Sequence, residues 1–273
     1  MLTQTEKGAI FRALHERDSA FIIPNPWDIG TARLLAHLGF EALASTSAGF
    51  AFSAGQPDNR IGREETLAHV TALASASDLP VSADLENGFG DSPAMVAETI
   101  TLAAQTGIVG GSIEDVPGRP GGVMYEVEHA ADRIRAAVDV ARSLPFHFSL
   151  TARAENYLVG RPDLKDTIRR LQAYQEAGAD VLFAPGLANK ADISAVVSSV
   201  DRPVNVIMGL QGVQLSLDEL SAIGVRRVTV GSALSRAALG AFLRAAREMK
   251  EHGTFNFAAE AVGYQEISAM FKG

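Results

Sequence analysis

The sequence predicts an α/β protein built as a closed (β/α)8 barrel, and three observations carry that prediction. Four segments share one grammar, a helix stopped by glycine and followed almost at once by a strand: Leu38 to Ala44, Thr106 to Ile113, Ala177 to Phe183 and Ile223 to Val230. Three further strands, within Leu79 to Asp84, Leu144 to Thr151 and Arg202 to Met208, are introduced by proline, whose missing donor costs nothing at a strand start. With the short apolar run Ala20 to Pro24 this makes about eight strands separated by segments of helical period. An open doubly wound sheet is the competing arrangement, but no Gly-x-Gly-x-x-Gly follows the first strand.

In order, Thr3 to Arg17 reads as an amphipathic helix, and the first strand ends in Asn25-Pro26-Trp27-Asp28. The eight strand and helix units follow as one barrel domain over residues 1–273, and the last strand leads into the alanine-rich helix Ser232 to His252. Residues 253–273 form a helical extension that a minimal barrel does not need. Its Phe255, Phe257, Tyr264, Ile267, Met270 and Phe271 are too apolar to face water. Either they fold back on their own barrel or they are exchanged with a neighbouring subunit.

Composition narrows the function. The 273 residues carry a net charge of −8 and a pI near 5.3, which argues against nucleic acid or an anionic membrane as partner. The absence of cysteine removes disulfides, thiolate metal sites and cysteine nucleophiles. No apolar run reaches the length of a membrane span, and the first twenty residues are too charged for a secretory signal. A soluble cytoplasmic protein is expected.

Chemistry in such a barrel gathers where strands end. The second strand ends in Ser45-Thr46-Ser47-Ala48-Gly49 and leads to Asp58; the third gives Asp84 and Glu86, the fourth Glu114 and Asp115, the fifth Arg153, the seventh Asn205. The period-two spacing of Asp84 and Glu86 places both on one face if the strand continues through them. Hard oxygen ligands suit Mg²⁺ or Mn²⁺, so Asp58, Asp84, Glu86 and Glu114 are expected to hold a cation, largely through water. Arg153 is expected to clamp a substrate carboxylate as a bidentate pair; its alternative role is counter-ion to Glu155 or Glu86, and Asp58 has an alternative as a loop cap. Asp115, next to Glu114, is expected to point the other way. Ser47, Asp84 and Arg153 are the expected catalytic set. Ser45, Thr46, Ala48, Gly49 and Asn205 are expected to line the substrate, with the Ser47–Gly49 backbone either an ordinary turn or a donor set for a developing enolate oxygen. No histidine falls at a strand end, which disfavours zinc of the histidine-rich kind.

Taken together, Ser47-Ala48-Gly49 with Gly55-Gln56-Pro57-Asp58, Ala83 to Gly90, Ser112-Ile113-Glu114-Asp115 and Ala152-Arg153 resemble the isocitrate lyase and phosphoenolpyruvate mutase superfamily. The resemblance implies a Mg²⁺-dependent enzyme that makes or breaks a carbon–carbon or carbon–phosphorus bond beside a 2-oxo acid, through a pyruvate-type enolate. It also implies a homodimer or homotetramer whose subunits exchange the eighth helix. Two departures narrow it further. The lyases carry a Lys-Lys/Arg-Cys-Gly-His loop, and this chain has no cysteine. The phosphonomutases carry lysine and asparagine in the loop after the fourth strand and a histidine after the sixth, where this chain has Val116 to Tyr125 and Ala184-Pro185-Gly186. The expected function is therefore decarboxylation or lysis of a small, oxaloacetate-like 2-oxo acid. A phosphonopyruvate or carboxyphosphonoenolpyruvate enzyme is the alternative, and a dicarboxylate-binding barrel without turnover is a third. The glycines and prolines of Pro117 to Gly122 are expected to make that loop a moving lid.

Overall fold

A computed structural model describes residues 2–118, 123–210, 212 and 214–272. Eight parallel strands form one sheet: β1 (Phe21–Ile22), β2 (Leu43–Ala44), β3 (Val81–Asp84), β4 (Gly110–Glu114), β5 (Ser149–Arg153), β6 (Val181–Phe183), β7 (Val204–Ile207) and β8 (Arg227–Thr229). Their spatial order is β1-β8-β7-β6-β5-β4-β3-β2. The sheet curls until its edges meet, since the N–H of Ala44 in β2 donates to the C=O of Pro24, just past β1, at 3.0 Å. The architecture is α/β and TIM-like.

Seven of the eight strands lie where glycine or proline announces them, and β1 lies within the apolar run Ala20 to Pro24. Gly39, Gly107, Gly178 and Gly224, the four predicted helix stops, have φ of +84°, +90°, +101° and +90°, a region that only glycine enters at little cost. Between strands run α2 (Ile29–His37), α4 (Arg63–Ser75), α5 (Pro93–Ala104), α6 (Val127–Ser143), α7 (Leu164–Glu176), α8 (Lys190–Ser198) and α9 (Leu217–Ala222), with the short α3 (Ser47–Ser53) directly after β2. Asp28, Thr46, Ser92, Asp163, Asn189 and Ser216 start six of these helices by accepting a hydrogen bond from an amide of the first turn.

Alternation along each strand divides the core. Leu150, Ala152, Leu182, Val204, Val206 and Val228 join the large apolar layer under the helices. Ser82, Ser112, Arg153, Asn205, Arg227 and Thr229 line a cavity within the curl. The N-terminal end is stoppered by α1 (Gln4–His15), whose Phe11 and Leu14 cluster with Phe21, Ile23, Ala42, Ala44 and Val109. The cavity within the curl thereby opens towards the C-terminal strand ends.

The C-terminal region breaks the pattern. α10 (Ala233–His252) buries only Ser235, while Leu239, Phe242, Leu243 and Met249 are exposed along one stripe. The expected helix over 255–271 resolves into a 3₁₀ turn (Asn256–Glu260) and α11 (Tyr264–Met270). The chain end returns to its own barrel, where Arg33 on α2 donates to Phe271 C=O at 3.0 Å and stacks over its ring. Among the described residues no helix is long and apolar enough to cross a membrane.

Candidate active site

Arg153, at the end of β5, is the hub. Its Nε donates to Glu155 at 2.8 Å, and its Nη1 meets Glu114 at 2.9 Å and Asp84 at 3.2 Å. These three carboxylates arrive from three neighbouring strands because β3, β4 and β5 are paired in register, with Glu114 opposite Arg153. The alternative role of Arg153 as counter-ion to Glu155 is therefore realised. A clamp that uses both Nε and Nη1 on a substrate is not available in this arrangement, and Nη2 is the donor left for a ligand among the described residues.

Glu86 reaches the site by a different route from the one predicted. β3 ends at Asp84, and Glu86 has φ of +50°, so a left-handed turn, not the strand pleat, brings its carboxylate beside Asp84. The glycine-rich run behind it is held from α6: the fully buried Arg133 donates from Nη1 to Glu114 C=O at 2.8 Å and from Nη2 to the carbonyls of Asn87 and Gly90.

The β2 end supplies the opposite wall. Ser45 Oγ accepts from Asp84 N–H at 2.8 Å, and Ser47 N–H donates to Asp84 Oδ2 at 3.2 Å. Thr46 Oγ1 accepts from Gly49 N–H at 3.2 Å as the cap of α3. Two of the three amides expected to face an enolate oxygen are thus engaged within the protein, which leaves that of Ala48. The Ser47 hydroxyl is a hydrogen-bond neighbour of Asp58 on the rim. Asp58 also accepts from Asn59 N–H at 3.0 Å. Asn205 lies deeper, donating to Thr229 Oγ1 at 3.1 Å and accepting from Arg227 Nε at 3.0 Å. Ser45, Thr46, Ser47, Ala48, Asp58, Asp84, Arg153 and Asn205 all line one cavity of about 220 Å³. It adjoins a wider one of about 710 Å³ that adds Glu114 and Glu155.

Asp84, Glu114 and Glu155 touch the guanidinium of Arg153, while Asp58 and Glu86 feel its charge without touching it, Glu86 lining a neighbouring cavity with Asn59, Asn87 and Asp91. Among the described residues the excess negative charge shows in the acidities of Asp58, Glu86, Glu114 and Glu155. Burial, then the charges of Asp84 and Asp58, push Glu86 up to about 8. Burial raises Glu114 and Glu155, with Arg153 opposing in both cases. Burial and Asp84 raise Asp58. Burial disfavours the Arg153 cation, but Glu114, Glu155 and Asp84 overcome this and hold its proton firmly. This all-oxygen, electron-rich donor set fits a hard divalent cation. Among the described residues no three acidic or histidine side chains converge as direct ligands of one ion, so the fit is to an ion that keeps part of its water shell.

Asp115 points away, as its strand position requires. It accepts from Tyr174 OH at 2.6 Å, from Arg170 Nη1 at 3.0 Å and from Glu155 N–H at 2.9 Å. Arg170 Nη1 also donates to Tyr125 C=O, and Tyr125 N–H donates to Asp115 C=O, both at 2.9 Å. The two ends of the segment 116–124 are stapled together in this way. Of the predicted lid, residues 119–122 lie outside the described residues.

Sequence reasoning passed over Arg133, Arg170 and Arg227. The last carried a signal, because an arginine at an inward position of Val225-Arg226-Arg227-Val228-Thr229 has to be accommodated inside the barrel.

A curled parallel sheet with converging carboxylates and an arginine at its C-terminal mouth is the arrangement of an α/β-barrel enzyme. Residues 11–250 match the family model described as phosphoenolpyruvate phosphomutase, and the chain belongs to that family, within the isocitrate lyase and phosphoenolpyruvate mutase superfamily. A Burkholderia cenocepacia J2315 protein provisionally designated a lyase/mutase is 62% identical, with a TM-score of 0.96 over 99% of this chain and 97% of that one. Oxaloacetate decarboxylase of Pseudomonas aeruginosa is 32% identical over 89% of this chain and 85% of its own. The 2-methylisocitrate lyase of Escherichia coli K12 is 32% identical over 72% and 68%. Oxaloacetate acetylhydrolase, solved with the inhibitor 3,3-difluorooxalacetate, is 25% identical, with a TM-score of 0.87 over 98% and 93%.

Proposed function

We propose that the protein is a Mg²⁺-dependent carbon–carbon lyase or decarboxylase acting on a small, oxaloacetate-like 2-oxo acid. The observation that carries this reading is the excess of carboxylates around Arg153 at the barrel mouth, with no cysteine or histidine acid beside it. Asp58, Asp84, Glu86 and Glu114 would hold the cation, which when bound supplies Lewis-acid polarisation of the 2-oxo group.

The chain's own residues do the rest. Arg153 offers Nη2 to the carboxylate next to the 2-oxo carbon, and Glu155 and Glu114 keep its guanidinium fixed for that contact. Ser47 holds Asp58, and Asp84 is held by Ser45 and Ser47, so the β2 end and the acidic cluster are set as one rigid unit. The Ala48 amide faces the oxygen on which charge develops. Solvent supplies the proton to the product carbon, since no cysteine is present to do so.

The exposed stripe Leu239, Phe242, Leu243 and Met249 on α10 supports exchange of this helix with a second copy in a dimer or tetramer. Oxaloacetate, phosphonopyruvate and methylisocitrate assayed side by side with and without Mg²⁺ test the function. Turnover of oxaloacetate that needs the cation is the expected result. Preferred turnover of phosphonopyruvate would replace it with carbon–phosphorus chemistry, and rapid methylisocitrate cleavage would show that the missing cysteine is a poor guide.

A further inference from the structure

Arg227 sits on the inner face of β8 and is only 4% exposed. Its Nε donates to Asn205 Oδ1, and Asn205 is turned that way because its own amide donates to Thr229. The guanidinium is therefore aimed by a fixed pair of strand residues. Its Nη1 is buried and has no hydrogen-bond partner, and among the described residues Arg227 makes no ion pair. The charges nearest to it do not compensate: Arg153 repels it and, after burial, brings it down to about 9. His15 below is held neutral, pushed down to about 3 by burial and then by Arg227 itself. A buried guanidinium without a counter-charge is costly to the empty protein. Arg227 lines the 220 Å³ cavity together with Arg153, Ser45 and Asn205, so an anion in that cavity reaches it from the active-site side.

We propose that Arg227 is the recognition residue for a second carboxylate of the substrate, remote from the 2-oxo group, and so selects dicarboxylates over monocarboxylates. The proposal rests on the 2-oxo acid reading of the site. The carboxylate next to the 2-oxo carbon then lies towards Arg153 and the acidic cluster at the rim. The remote one points down the barrel axis to Arg227 and Asn205. An ion pair formed there stabilises the bound ground state, so a substrate whose remote carboxylate survives the reaction gains more from it than one whose carboxylate departs.

Two probes separate the ends of the site in the presence of Mg²⁺: oxalate, which lacks a remote carboxylate, and 3,3-difluorooxaloacetate, which has one. Calorimetry on Arg227→Met should show affinity for 3,3-difluorooxaloacetate falling roughly thirty-fold, the loss of a buried charge-assisted hydrogen bond, while oxalate binds as to wild type. Arg227→Lys should recover part of the loss. The unliganded Arg227→Met protein should melt no lower than wild type, since an uncompensated charge has been removed; a purely structural arginine would lower it. Equal losses for both probes, or no loss for either, would overturn the proposal. If wild type binds neither probe, the 2-oxo acid reading falls and takes this proposal with it; if it binds both and Arg227→Met does too, the proposal alone fails.

Discussion

Replacing Arg153 by methionine keeps most of the side-chain volume and removes the one cation that, among the described residues, pairs with Glu155, Glu114 and Asp84. Glu155, Glu114 and Asp84 lose contacts of 2.8, 2.9 and 3.2 Å, and the three side chains are 4%, 13% and 15% exposed. Summing three Coulomb energies would overstate the loss, because the desolvation of the guanidinium vanishes with it. Protonation sets the ceiling. A glutamate of ordinary acidity costs about 1.36 × 2.7, or roughly 3.7 kcal/mol, to protonate at pH 7, so no single carboxylate can cost the fold more than that. A loss of about 3–5 kcal/mol follows, near the range for breaking buried ion pairs, and at about 2 °C per kcal/mol for a chain of this size Tm falls by about 6–10 °C. The sign of the pH dependence is also fixed. Carboxylates whose folded pKa is raised destabilise at high pH and cease to do so below their unfolded pKa, so the gap between variant and wild type should close as pH falls towards about 4.5. Thermal denaturation without divalent cations, at pH 7.5 and pH 5, measures both. A variant that melts within 2 °C of wild type at pH 7.5, or a gap that widens on acidification, would refute the reasoning.

Further outcomes follow from the same geometry. Asp84→Ala should abolish Mg²⁺ binding by calorimetry while circular dichroism still reports a folded barrel; wild-type affinity in this variant would remove Asp84 from the cation site. Glu86, raised to about 8, holds a proton at pH 7, so Mg²⁺ binding there should release close to one proton and tighten with pH up to about 8. Titrations in buffers of different ionisation enthalpy count that proton, and none released would contradict the shared site. Without the cation, the stability that a protonated Glu86 lends should be lost as pH rises through about 8. Phe242→Asp, in the middle of the α10 stripe, should turn an oligomer into a monomer in sedimentation; a wild type that is already monomeric would show that α10 needs no partner.

Most of the fold was legible because its punctuation is chemical. Gly39, Gly107, Gly178 and Gly224 occupy φ values that cost glycine little and other residues much, and Pro80, Pro145 and Pro203, with no N–H to donate, can only stand where a strand begins. The strand-end carboxylates were legible because each strand stops where its apolar run stops. What escaped was whatever depends on contacts between strands. Arg153 reads as a substrate clamp until β4 places Glu114 opposite it. Glu86 reads as pleated until its φ of +50° is seen. Arg133 and Arg170 reach the site from helices, where an arginine is ordinarily taken as a solvated face, and no spacing in the sequence connects Arg170 to Asp115, 55 residues away.

The staple at Asp115 and Tyr125 bears on how such a barrel diversifies. Arg170 and Tyr174, both on α7, fix the two ends of the 116–124 segment to the scaffold without using any residue within it. Lengthening the segment between its fixed ends then adds loop-closure entropy, about 0.6 kcal/mol for each doubling of length, whereas recomposing Val116, Pro117, Val123 or Met124 changes the wall of the wider cavity and leaves the strand ends that carry the carboxylates in place. Heritable change can be concentrated in the described parts of that segment, which wall the cavity, while the strand-end carboxylates stay constant, so one scaffold can be retuned at its mouth without rebuilding its core.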